Sequence, residues 1–364
     1  MIAVFLLNGV AATAAPTESH GSGPTAPVLY SRAVPVLYTA ELPGFVTRSG
    51  TTLLVGGQPY RFVGLNIYNA NNQGTCWYEL GATTALDKTL TAIGPAQNVF
   101  RAWFFQSLAT RNGQRDWSSF DATLAVARAH DERVIATLGN QLADCEGAVL
   151  PKTDEWYRSG YANLRDAGMA DSYRDWVAEV VARYRNDPTI MAWQLMNEAE
   201  DRAPSGRCSP SATQTLKHFA QDMAQTVKRL DSNHLLSLGT WGLLDCGSAG
   251  SEYQDVHNVA GIDFCEIHDY SGPSSALASQ LPLRLSQCRA LDKPVFVGEI
   301  GVNVRDAGSL ANRASVLRAK LSADFAAGVA GALVWDWADA GQTPYSGYEI
   351  QPGDPALQVL ASTL

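Results

Sequence analysis

At 364 residues, 46% hydrophobic and 17% charged, the chain can bury one large core, and the roughly 320 residues beyond its N-terminal segment suit a single α/β barrel. A net charge of −9 and a pI near 5.2 argue against nucleic acid or an anionic membrane as partner, and leave a neutral partner such as a sugar polymer open.

Residues 2–15 form an apolar stretch ending in small residues, with Ala12-Thr13-Ala14 as an A-x-A cleavage pattern. They read as a secretory signal over 1–15, although the first Arg or Lys is Arg32. The stretch is too short to span a bilayer. Export predicts an oxidising setting, in which six cysteines without a C-x-x-C form disulfides. Residues 16–44, rich in Pro, Ser, Thr and Gly, have linker composition, so the folded domain is placed at 45–364.

From Thr51 the chain becomes regular. Thr51–Val55, Gly56-Gly57 and Tyr60–Val63 predict a hairpin that plugs the bottom of a barrel and runs into a first strand ending near Asn66. Further buried runs occur at Asn98–Trp103, Val134–Leu138, Ile190–Met196, Leu235–Leu238, Ile262–Ile267, Val295–Val297 and Ala332–Trp335. Helical periodicity fits 84–93, 118–130, 172–184, 213–230, 276–291 and 309–327. Eight strands with intervening helices predict a right-handed parallel (β/α)8 TIM barrel. An open doubly wound sheet is the alternative, but no Gly-x-Gly-x-x-Gly follows any strand.

Barrel active sites sit at the carboxyl ends of the strands. Two acids occupy such ends: Glu198 closes the run that begins at Asp187, and Glu299 closes the one that begins at Lys293. A pair of carboxylates on two buried strand ends suggests chemistry on a glycosidic bond. Strand alternation assigns side chains to the inner or outer face. By that rule Glu299 points inward with Val297 and Val295, and Glu198 with Met196 and Gln194. Asn197 faces outward unless a bulge re-aims it. Arg101 and Trp103 point inward on the second strand, where a buried Arg needs a partner such as Glu299 or Glu266. His268 and Tyr270 share the inner face of the sixth strand, with Glu266 one layer deeper and expected to be paired with a cation or protonated. Trp335 ends the eighth strand facing inward, a flat surface for a pyranose ring. Cys265 faces the helices, which predicts the pair Cys265–Cys288. Loop positions predict Cys76–Cys145 and Cys208–Cys246.

The set Arg101, Asn197-Glu198, His268-x-Tyr270, Glu299 and Trp335 resembles glycoside hydrolase family 5, the cellulase and mannanase family of retaining (β/α)8 enzymes. The segments FRAWFF, DPTIMAWQLMNE, VGEIG and LVWDWA are most similar to its endo-β-1,4-mannanase branch. Departures are Ala199, where the family usually has Pro, a late Arg207-Cys208 pair, and Gly139-Asn140-Gln141, where glucan-cleaving members carry a His. The resemblance implies Glu198 as general acid/base and Glu299 as nucleophile. Asn197 would bind the sugar 2-hydroxyl, Arg101 and Tyr270 would keep Glu299 ionised, and His268 would orient the site near Glu198. Trp335 would floor the sugar site, and Trp103 with Asn140 would complete a wall of the mannan-cleaving kind. An acid that must hold its proton wants a drier, less cationic setting than the nucleophile. No cofactor or metal is called for, and a monomer acting on a neutral β-linked poly- or oligosaccharide is expected. A β-glucanase, another β-glycosidase of the family, or a silent glycan-binding barrel remain as alternatives.

Overall fold

The computed structural model describes residues 42, 44–71, 84–146, 151–165, 168–272, 279–339 and 346–363. The leader, nearly all of the linker segment, and Cys76 with its predicted bond to Cys145 lie outside these residues. The described part belongs to one unit, Tyr38–Leu364.

Among the described residues eight parallel strands carry the fold: Phe62–Leu65, Val99–Trp103, Arg133–Thr137, Ile190–Gln194, Leu235–Ser237, Cys265–Asp269, Val295–Ile300 and Gly331–Val334. They form two four-stranded sheets, first and sixth to eighth in one, second to fifth in the other. Backbone hydrogen bonds join the two sheets on both sides. Ile67 N donates to Arg101 O between the first and second strands, and Asp263 N to Leu236 O between the fifth and sixth. The result is a (β/α)8 barrel.

The N-terminal hairpin is a three-stranded antiparallel sheet, Val46–Ser49, Thr52–Val55 and Gln58–Tyr60. Its Val46 and Leu53 pack with Phe62, Val99, Met191 and Phe296, the lowest layer of the barrel interior. Its last strand ends at Tyr60, and the first barrel strand starts afresh at Phe62.

The outer helices include Thr84–Ile93, Ser118–Ala129, Tyr173–Tyr184, Ala212–Leu230, Leu281–Arg289 and Leu310–Ala327. Local chemistry sets their ends: Ser172 and Ser309 cap the helices that follow, accepting from Asp175 N and Asn312 N. Several short helices, such as Glu252–His257 and Pro355–Ala361, are under three turns long and too short to show a one-sided period in the sequence. Disulfides join Cys265 to Cys288, strand to following helix, and Cys208 to Cys246, across two loops beyond the strand ends.

One buried helix residue yields a prediction about stability. Asp324 is 6% exposed, with Oδ2 lacking a hydrogen-bond partner among the described residues. Burial, then the charge of Asp269, push its carboxyl from 3.8 to about 7, against the pull of Lys320. The unfolded chain ionises near 3.8, so between about 4 and 7 only the folded state holds this proton. Stability from this group therefore falls as pH rises across that window. Asp324→Asn is expected to stabilise the protein at pH ~8 by up to a few kcal/mol, with no gain at pH ~4. Denaturant unfolding at the two pH values measures this; an equal effect at both would refute it.

Candidate active site

The strand ends converge on a cavity of about 210 Å³, lined by Trp103, Asn197, Glu198, Tyr270, Glu299 and Trp335 among the residues singled out from sequence. Arg101 and His268 stand just behind it, both fully buried.

Arg101 is the hub. Its Nη1 donates to Glu299 Oε1 at 2.9 Å and to Asn66 Oδ1 at 2.8 Å. Nε donates to Gln194 Oε1 at 2.8 Å and Nη2 to Asn197 Oδ1 at 2.6 Å, while the guanidinium lies over the Trp103 ring at 4.6 Å. Of the two carboxylate partners the sequence allowed, the structure selects Glu299. Tyr270 donates its hydroxyl to the other oxygen of Glu299 at 2.5 Å. That phenol can stand this close because residue 301 is glycine; a Cβ there would lie 2.1 Å from the Tyr270 ring.

Glu299 points into the barrel, but not for the reason alternation suggests. Val295 and Val297 pack in the main cluster shared with the helices, and Phe296 is the residue facing the barrel floor. The pairing with the sixth strand skips Gly298, so that Ile267 faces Val297 and His268 faces Glu299. This bulge resets the alternation and turns Glu299 inward. The fourth strand departs similarly. It ends at Gln194, Met196 meets Tyr173 beside Gly139 on the helical side, and Glu198 adopts a φ of 54°. Asn197 is thereby turned inward, where it receives Arg101 and donates to Asn140 Oδ1 at 3.1 Å.

His268 Nδ1 lies 2.9 Å from Glu198 Oε1 and 3.5 Å from Glu299 Oε2, and its Nε2 is 3.3 Å from Glu266 Oε1. Burial alone would lower its pKa; Glu299, Glu198 and Glu266 outweigh it and raise it to about 10. A carboxylate oxygen at each ring nitrogen favours the imidazolium form, the cation expected beside Glu266. Burial pushes the Glu299 carboxyl up from its ordinary value, while His268, Arg101 and the Tyr270 hydroxyl pull it down. Side-chain oxygens of Glu198 and Glu299 lie within 4.8 Å of each other.

The expected contrast between the two acids holds only in part. Among the described residues Glu198 has the less cationic surroundings, with His268 alone, but it is not the drier: its side chain is 25% exposed against 4% for Glu299. Sequence reasoning missed Asn66, Gln194 and Tyr68 as site residues. Gln194 was visible as the one polar residue in the run Ile190–Gln194, whereas Asn66 was noted only as a strand end. Tyr68 stacks on Trp335 at 5.3 Å and 13°, which holds the indole at the cavity floor.

Comparison with known proteins agrees with this geometry. The family model described as Cellulase (glycosyl hydrolase family 5) matches residues 57–341. A putative mannan endo-1,4-beta-mannosidase 4 of Arabidopsis thaliana is 26% identical over 84% of this chain and 86% of its own length. Mannan endo-1,4-beta-mannosidase 8 of Oryza sativa is 29% identical over 71% and 80%. Among solved structures, the endo-1,4-beta-mannanase from Rhizomucor miehei superposes with a TM-score of 0.67 at 20% identity, covering 88% of this chain and 98% of that one. With a family match spanning most of the chain and a barrel whose strand ends gather paired carboxylates, the protein belongs to glycosyl hydrolase family 5 and is a glycoside hydrolase.

Proposed function

We propose that this enzyme cleaves β-1,4-linked mannan or glucomannan with retention of configuration, by double displacement. The observation that carries the mechanism is that side-chain oxygens of Glu198 and Glu299 lie within 4.8 Å of each other, which fits the roughly 5–5.5 Å carboxyl spacing of retaining enzymes and falls short of the ~6.5–9.5 Å that leaves room for water in inverting ones. Glu299, held by Arg101 and Tyr270, attacks the anomeric carbon as a carboxylate. Glu198 gives its proton to the departing oxygen and carries a negative charge beside His268. Water then enters on the same face; Glu198 takes its proton, the hydroxyl oxygen bonds the anomeric carbon, and Glu299 leaves. Asn197 binds the 2-hydroxyl, and Trp335 packs under the sugar ring.

Mannan is favoured by the names of the relatives and by the wall of Trp103 with Asn140 beside Asn197. Mannose carries its 2-hydroxyl axially, so polar groups near that position decide between epimers. Extracellular action is supported by the disulfides Cys208–Cys246 and Cys265–Cys288, since such bonds persist in oxidising compartments. Among the described residues no helix is long and apolar enough to cross a membrane. A panel of mannan, carboxymethyl-cellulose, xylan and laminarin, followed by reducing ends, tests the substrate. Release from mannan is expected to dominate, with a β-anomeric first product by NMR. Cleavage of cellulose or laminarin without mannan would move the specificity to β-glucan, and an α-anomeric first product would end the double-displacement reading.

A further inference from the structure

Glu266 is a buried acid that the double displacement does not use. It lies on the sixth strand, one layer below His268, and is fully buried. Ser237 Oγ donates to its Oε2 at 2.9 Å, and Gln194 Nε2 donates to both its oxygens. The orientation of the Gln194 amide is forced from the other side. Its Oε1 already accepts Arg101 Nε at 2.8 Å and Thr137 Oγ1 at 2.6 Å, so its nitrogen must face Glu266. The space between Glu266 and His268 exists because residue 298 is glycine. A Cβ there would sit 2.1 Å from Glu266 Oε1 and 3.0 Å from His268 Nε2.

Resting on the reading of Glu198 as acid/base, we propose that Glu266 is a positioning residue for catalysis. It clamps Nε2 of His268 from below and so directs the Nδ1 proton of the same ring at Glu198. The groups facing His268 are Glu198 from the fourth strand end, Glu299 from the seventh strand and Glu266 from its own. Ser237 of the fifth strand faces Glu266, and on the helical side the Tyr253 hydroxyl donates to the Glu266 carbonyl. Arg101 and Tyr270 reach the set through Glu299.

These contacts make a charge count. Three carboxylates meet two cations, Arg101 and His268, leaving one negative charge that a single proton on Glu198 cancels. Glu266 is thus the negative charge that balances a cationic His268 beside the acid/base Glu198. Without it, the set gains one positive charge and every proton on it is easier to lose.

The test is Glu266→Gln, which keeps shape and removes charge. Both limbs of the kcat/KM profile on a β-linked oligosaccharide, whose sugar leaving group needs the Glu198 proton, should move to lower pH by about one unit, and kcat should fall about tenfold with KM within about twofold. Glu266→Asp, which keeps the charge, should return the limbs to their wild-type positions even if its rate is reduced. A slower Glu266→Gln enzyme with unmoved limbs would overturn the proposal, since a structural role alone lowers rate without shifting titration. Nitrogen-15 NMR of the wild-type His268 ring needs no variant to fold. Both ring nitrogens should be protonated at neutral pH, and a singly protonated ring would equally overturn the assignment. A wild-type protein that hydrolyses no β-glycoside would defeat the functional reading itself; an active one with unmoved limbs defeats only the role of Glu266.

Discussion

Glu299→Ala is expected to abolish turnover on every substrate, whereas Glu198→Ala should separate substrates by their leaving groups. The first variant removes the atom that bonds to the anomeric carbon, so no choice of leaving group restores the first step. The second removes the proton donor, worth about 10²–10⁴-fold when the departing group is a sugar alkoxide. With an activated aryl leaving group that protonation is unnecessary, so the first step should survive and the glycosyl-enzyme should accumulate, because no base remains to deprotonate water. Azide, which needs no deprotonation, should then release it as a glycosyl azide of retained configuration. The geometry favours this division. Glu198 is the acid that solvent reaches, at 25% side-chain exposure, and Glu299 is the one enclosed by donors on both oxygens. Burst kinetics and NMR of the azide product provide the measurement. A wild-type rate in either variant, or azide rescue in the Glu299 variant alone, would reverse or refute the roles.

Arg101→Met should cost both stability and rate, for one electrostatic reason. The guanidinium is completely buried and supplies hydrogen bonds to Glu299, Asn66, Gln194 and Asn197. Removing it leaves Glu299 charged in a buried site without its strong partner, a loss on the order of 3–5 kcal/mol for a broken buried pair. Glu299 can escape that cost by taking a proton. Its carboxyl is already pushed up by burial and is held down partly by Arg101, so the acid limb of kcat/KM should move to higher pH. Stability should accordingly be lost most at high pH, where Glu299 must be charged, and least at low pH. Arg101→Lys should recover little, because one ammonium cannot reach four acceptors spread around a planar fork. Denaturant unfolding and the pH–rate profile report the two effects. An unmoved acid limb would show that Tyr270 and His268 suffice to hold Glu299.

The barrel was legible because each buried strand is a short apolar run bounded by turn residues, and each long helix has a one-sided period. Both patterns are written within a dozen residues. The acids were legible for a related reason: Glu198 and Glu299 stop apolar runs at the end where a parallel barrel gathers its site. Cys265 and Cys288 followed from the same local logic, one on the outer face of a strand and the other on the helix that follows it.

Direction was not legible where the ladder is irregular. Alternation holds only for an unbroken strand, and the bulge at Gly298 and the early end of the fourth strand at Gln194 each shift it before the functional residue is reached. Hence Val297 packs outward and Asn197 inward, against the period-two rule. Partnership was not legible either. Arg101 meets acceptors 35, 93, 96 and 198 residues away, and nothing in its own neighbourhood says which acid it will hold. Sequence by itself determined the kinds of residue at each strand end, because burial and turn chemistry are local. Tertiary structure decided which of three carboxylates is enclosed by Arg101 and Tyr270, which meets His268 Nδ1, and which lies beneath that ring. Those differences arise from distances between strands that the chain visits far apart.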